Sequence, residues 1–182
     1  YIIVRTKLWV RKYIELATFL PWAFPASAIA VNAIIAYNEP NPLVFNQVLI
    51  GTYWILPLMY FVCSLPLLVR TTSAILSKIP DSLEEASRSL GASQIKSFLS
   101  IIVPMSAPGI ASGGLLVFLS NLEEYTISSM LYIPDNVPIS MGIMSFNSLD
   151  AIGVPMVFGV MMMVISAIIL TTTKFSGKEL AV

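Results

Sequence analysis

Histidine is absent from the 182 residues, and cysteine occurs once, as Cys63. Without imidazole, triads and histidine-based acid–base catalysis have no base. One thiol can neither close an internal disulfide nor assemble a Cys/His zinc site. Charge is scarce as well: charged types make up 11% of the chain, less than half the roughly 25% of a soluble domain. Ten basic and ten acidic residues cancel to zero net charge, so no basic face is offered to a nucleic acid. No Gly-x-x-x-x-Gly-Lys-Ser/Thr loop occurs, so ATP hydrolysis by that motif is excluded within this chain. What remains is apolar: 57% of residues, with a mean hydropathy of +0.84. These proportions define an integral membrane chain.

Stretches of about 20 apolar residues are long enough to cross a bilayer. Four qualify: 13–36, 45–69, 105–122 and 154–173. Lipid offers no hydrogen-bond partners, so the spans are expected to be helices, and a barrel would alternate over shorter strands. The expected fold is an all-α integral membrane protein, a transmembrane helix bundle of about four spans. Prolines punctuate them at Pro21, Pro25, Pro57, Pro66 and Pro108, each bending or breaking its helix. The small-residue run from Pro108 to Gly114 suits close approach of a second helix, either for packing alone or for more. The basic cluster Arg5, Lys7, Arg11, Lys12 precedes a span too long for a signal peptide, which reads as a retained helix. The chain opens on Tyr1 rather than Met, which reads as a start inside a longer protein.

Orientation follows from the basic residues. All ten Lys and Arg fall in segments 1–12, 70–104 and 174–182. Segments 37–44 and 123–153 hold none, but carry Glu39, Glu123, Glu124, Asp135 and Asp150. Both chain ends and the 70–104 loop are therefore expected in the cytoplasm. Within that loop, Asp81 or Ser82 reads as an N-cap, and Ser82 with Glu85 forms a capping-box pattern. Glu84 and Glu85 suit the positive helix end. Gly91 stands where a left-handed C-cap belongs, and Ser93 can cap a second helix. Ile95, Phe98, Leu99 and Ile102 then form one apolar stripe. The local chemistry predicts a helical hairpin with a sharp turn at Gly91.

The order Glu85-Ala86-Ser87, three residues, Gly91, nine residues, Ile101-Ile102-Val103-Pro104 resembles the EAA loop of binding-protein-dependent ABC transporter permeases, the MetI-like superfamily. That pattern reads Glu-Ala-Ala, three residues, Gly, nine residues, Ile-x-Leu-Pro; here Ser87 and Val103 are the small departures. The segment 20–25 looks like the family's apolar-proline segment in an early core helix; 51–58, 65–70 and 82–93 look most like the ferric-iron branch, and polyamine permeases share much of the same wording. The resemblance implies that Glu85, Ala86, Ser87, Gly91, Ala92, Ile101 and Pro104 form a cytoplasmic coupling-helix hairpin that seats in an ATPase subunit. Ala86 and Gly91 would allow close approach, and Glu85 would cap the helix and stand ready to meet a basic group. It further implies one transmembrane domain over 1–182, the C-terminal part of a permease half. The implied partners are an ABC ATPase dimer, an extracytoplasmic substrate-binding protein, a second permease half (identical, different or fused) and membrane lipid. No cofactor is expected in this chain, since ATP and magnesium would be bound by the partner ATPase. The implied function is an inner-membrane importer permease carrying ferric iron, with polyamines or another small solute as the alternative.

At the outer end of the third span, Glu124, Ser128 and Ser129 match the acidic and hydroxyl-rich position of the iron branch, which implies a translocation pathway. Carboxylates at membrane depth are expensive and frequently functional; glutamates at a wet boundary are the competing reading. The segment 133–153, with Asp135, Asn147 and Asp150, is polar enough to meet a docked protein, and its apolar middle 137–146 reads as a short helix dipping into the membrane. Met161, Met162 and Met163 point about 100° apart on a helix and cannot converge on one ion, so they read as packing. No catalytic residue and no metal ligand is expected. An intramembrane enzyme using Glu123 and Glu124 as a carboxylate pair is the other class of reading, weakened because adjacent helix residues diverge. A passive channel subunit would leave the EAA pattern without a purpose.

Overall fold

The computed structural model describes residues 1–6, 8–145 and 153–178; Lys7, Phe146, Asn147 and Asp150 of the sequence reading lie outside them. Among the described residues the chain is helical, with two isolated bridges, Asn41 with Gln47 and Ile133 with Asn136, and no strand. A short helix α1 (Ile2–Arg5) leads to α2 (Arg11–Phe19), which runs on through a tight turn over Leu20–Ala23. After it, α3 (Ala26–Tyr37) sets off at 102° to the preceding arm. Pro25 causes the bend: the residue before a proline is driven out of the helical region, and Phe24 is extended at φ −113° and ψ 144°. The expected span over 13–36 is thus broken into two arms, at one of the two prolines expected to bend or break it.

The second span also starts later than its hydropathy suggests. Phe45 and Asn46 take left-handed backbone, Gly51 has φ +80°, and Phe45 is 94% exposed, so these residues form a loop. The helix itself is α4 (Ile55–Leu76), which keeps Pro66 inside and carries Arg70 past the expected end at 69. Then come α5 (Asp81–Ser89), α6 (Gln94–Ser97), a wide π-turn over Phe98–Ile102, and α7 (Val103–Leu122). From Gln94 to Leu122 these last three make one continuous helix of 29 residues. The third span therefore begins inside the hairpin, not at 105. Pro104 accounts for the π-turn: it has no N–H for the carbonyl four residues back, and the widened turn lets the Val103 N–H reach the Phe98 carbonyl instead.

The chain closes with α8 (Thr126–Leu131), α9 (Ile139–Ser145) and α10 (Gly153–Lys178). A short helix thus lies in the expected 137–146 stretch. Among the described residues, three helices are long and apolar enough to cross a membrane, or four if the bent pair counts as one span, in line with the expected bundle. The buried core joins Ala30 and Ala33 of α3, Ile55, Leu56 and Met59 of α4, and Ile127 and Leu131 of α8. α7 packs against both α4 and α10. At the α4–α7 contact, a Cβ on Gly113 would stand 2.7 Å from Thr71 Oγ1, and one on Gly109 would stand 2.8 Å from the Ile75 side chain. The small-residue run is therefore a packing seam. Met162 is buried while Met161 and Met163 are exposed, which is the divergence the helix geometry demands.

Candidate functional site: the α5–α7 hairpin and the opposite end

The hairpin is stiffened by its own backbone. Gly91 sits at φ +89°, the left-handed region that L-residues enter at a cost. Its N–H reaches the Arg88 carbonyl at 2.9 Å, and the Ala92 N–H reaches the Ser87 carbonyl at 3.1 Å. This crossed pair is the Schellman C-cap. Ser93 then accepts the Lys96 N–H on its hydroxyl and starts α6, as its position predicts. Across the turn, Ser97 Oγ donates to Ser87 Oγ at 2.9 Å, with Ser97 fully buried. Ser87, the departure from the Glu-Ala-Ala pattern, thus ties the two arms together.

Several details differ from the sequence reading. No side-chain cap forms at the start of α5, where Pro80 is the N-cap residue and the helix begins at Asp81, so Ser82 and Glu85 make no capping box. Glu85 is exposed and caps nothing; its neighbour Glu84 instead accepts the Tyr1 hydroxyl at 2.7 Å. No side chain crowds Gly91, around which nothing lies within 4 Å of an added Cβ. Within this chain its requirement is the φ angle. The apolar stripe is split: Ile102 and Phe98 pack with Leu76 and Ile79, while Ile95 and Leu99 face outward. Ala86, Ser87, Gly91, Ala92 and Ile101 line one cleft of about 560 Å³, Glu85 lines another, and Pro104 lies exposed in the first turn of α7. The tip presents Leu90 at 90% exposure and Ile95 at 73%, apolar surface with nothing of this chain over it.

At the other end of α7, the Glu124 carboxylate is occupied by α8. Its Oε1 accepts the Ile127 N–H at 2.8 Å and its Oε2 accepts the Ser128 N–H at 3.0 Å. These are two of the unpartnered donors that open any helix. Ser128 Oγ lies 2.6 Å from the Glu124 carbonyl and 3.0 Å from Oε2, and 2.6 Å from the Tyr60 hydroxyl. With one proton to give, Ser128 donates to Glu124 and accepts from Tyr60. Ser140 of α9 adds a bond to the Glu124 carbonyl at 2.6 Å. Ser129 turns away and bonds back to Thr126. The structure therefore brings Glu124 and Ser128 together with α4 and α9, and leaves Ser129 out. One turn along α4, Ser64 Oγ donates to Asn121 Oδ1 at 2.8 Å. Tyr60 and Ser64 were readable as a hydroxyl pair four residues apart on one helix face, but their partners on α7 and α8 were not.

Glu123 points elsewhere, to Ser166 of α10 at 3.5 Å, so the two glutamates do not form a carboxylate pair. Among the described residues no three Cys, Asp or Glu side chains converge as a metal site. What the geometry offers is mechanical: a rigid hairpin, continuous with α7, bearing an uncovered apolar tip.

Residues 2–175 match the family model described as "Binding-protein-dependent transport system inner membrane component". A probable ABC transporter permease protein of Sinorhizobium fredii is 37% identical over 142 residues, 78% of this chain and 25% of that protein. A probable sulfate transport system permease protein of Chlorella vulgaris is 29% identical, covering 90% of this chain and 65% of its own length. An Fe(3+)-transport system permease protein of Haemophilus influenzae is 26% identical, covering 80% and 28%. The chain thus spans between about a quarter and two thirds of the length of these relatives. With the family model covering nearly all of it, the chain belongs to the inner-membrane components of binding-protein-dependent transport systems, the permeases of ABC transporters.

Proposed function

We propose that this chain is one transmembrane permease domain of an ABC importer in the bacterial inner membrane. A partner ATPase dimer, holding ATP and magnesium, displaces the α5–α7 hairpin, and a substrate-binding protein delivers the solute from the outer side, with a second permease half completing the pathway. Both chain ends and the hairpin face the cytoplasm in this reading, as the distribution of Lys and Arg favours. The observation that carries it is the continuity from Gln94 to Leu122. A push on Leu90 is passed through the Ser87–Ser97 bond and the Gly91 turn into a membrane span, without a flexible joint to absorb it. Such rigid-body transmission suits an alternating-access cycle.

For the substrate, ferric iron is the reading supported by the 51–58 and 65–70 segments and by the iron permease among the relatives. Sulfate is the second reading, favoured by the relative that this chain covers furthest among those named above. Uptake into vesicles of ferric iron, sulfate and spermidine, each with its binding protein, separates these and the polyamine alternative. Replacing Gly91 by Val is expected to abolish substrate-stimulated ATPase while leaving membrane insertion intact. Undiminished stimulation in that variant, or failure of the permease to co-purify with an ATPase, would refute the coupling role.

A further inference from the structure

We propose that Arg5 is a positioning residue that clasps the N-terminal segment onto the joint between α4 and α5, so that the first span moves with the hairpin. This rests on the reading of the hairpin as the part an ATPase displaces. By sequence, Arg5 is simply one of the basic residues that set orientation. In the structure its side chain is only 9% exposed, and its guanidinium meets three acceptors: the Leu76 carbonyl at 3.0 Å, the Ile79 carbonyl and the Asp81 carboxylate. Leu76 ends α4 and Asp81 begins α5. The Leu76 carbonyl at the end of α4 takes the Ile79 N–H at 3.3 Å and keeps a second lone pair for the guanidinium; a cation at a helix C-terminus and an aspartate in a first turn both suit the helix dipoles. One guanidinium therefore spans the C-terminus of a membrane helix and the N-terminus of the hairpin helix. Its planar fork of donors can face several acceptors at once, which a single lysine ammonium does poorly.

The rest of the segment supports the clasp. The Tyr1 hydroxyl donates to Glu84 of α5, and the Tyr1 ring meets Phe98 of the π-turn edge-on at 5.0 Å. Val4 packs on the Leu76, Ile79 and Ile102 cluster. Residues 1–6 thus touch the end of α4, the start of α5 and the π-turn, and the chain then enters α2, the first arm of the bent span. A charge acting only as an orientation signal has no need of burial, which is costly unless the charge is paired. Displacement of the hairpin is carried by these contacts to α2.

The test uses the intact transporter with its ATPase, in a Cys63→Ala background. A reporter thiol is placed on α2 by Tyr13→Cys, where Tyr13 is exposed, and a second on the tip by Leu90→Cys. Maleimide labelling is timed with and without ATP plus vanadate. The clasp predicts an ATP-dependent change at position 13 that Arg5→Gln abolishes, while position 90 stays shielded by the ATPase. Asp81→Asn, which removes the negative charge of the exposed partner, lessens the change and carries the test should Arg5→Gln fail to assemble. A full ATP response in Arg5→Gln or in Asp81→Asn overturns the clasp alone. Absence of shielding at position 90 overturns instead the coupling reading beneath it.

Discussion

Gly91 offers the sharpest test of how the hairpin is built, because φ angle and space make opposite demands there. Its φ is +89° and nothing would touch an added Cβ. If only the backbone angle matters, Gly91→Ala costs about 1–2 kcal/mol, the usual penalty for an L-residue in the left-handed region. Gly91→Asn costs less despite its larger side chain, because asparagine tolerates that region. Gly91→Val costs more, since a β-branched side chain there is a true outlier. The Schellman bonds to Arg88 and Ser87 are lost as the turn opens, so the penalty appears as local opening of the hairpin. Trypsin reads that opening directly at Arg88 and Lys96, which flank the turn. When opening is in fast equilibrium, cleavage follows its population, and 1–2 kcal/mol corresponds to about a 5- to 30-fold faster cut. The expected order of cleavage is Val fastest, then Ala, then Asn, then the unsubstituted protein. Faster cutting of Gly91→Asn than of Gly91→Ala would mean that space, not φ, is limiting, and the reasoning would fail.

Three further outcomes follow from particular contacts. Gly113→Ala drives a Cβ to 2.7 Å from Thr71 Oγ1 and should lower the stability of the purified permease by about 1–3 kcal/mol, as overpacking does. Adding Thr71→Ala should restore much of this, while Gly114→Ala, with open space around it, should leave the melting temperature unchanged. Ser87→Ala strands the buried Ser97 hydroxyl at a cost of about 1 kcal/mol, and Ser87→Ala with Ser97→Ala should be milder than the single change. Glu124→Ala leaves the Ile127 and Ser128 N–H groups unpaired and should cost about 1–3 kcal/mol. Glu124→Gln keeps an accepting oxygen and should melt nearly normally, so lost uptake in that variant would mark a need for the charge itself.

Much of the molecule was legible in short stretches of chain. The hairpin turn could be placed at Gly91, and Ser93 marked as a cap, because each answers to backbone groups only a few residues away. The bend at Pro25 was legible from the proline itself, whereas the π-turn before Pro104, local as well, was not, and the span drawn from hydropathy began after it. Hydropathy measures transfer to lipid, and proline geometry does not enter it.

Composition and pattern by themselves determined a helical membrane chain of about four spans and a Gly91 hairpin, while the permease family was legible only as a resemblance of the 85–104 motif. Tertiary structure alone decided what the charges do. Arg5 became a helix-end partner 71 residues from the Leu76 carbonyl, and Asp81 was drawn to that arginine rather than to its own helix. Glu124 went to cap α8 and to join Tyr60, 64 positions back along the chain, through Ser128. A left-handed glycine or a serine cap has its partners within reach of the same turn, so neighbouring residues suffice to foretell it. A buried charge takes whichever opposite charge or free carbonyl the folded helices bring near, and only their packing determines which that is.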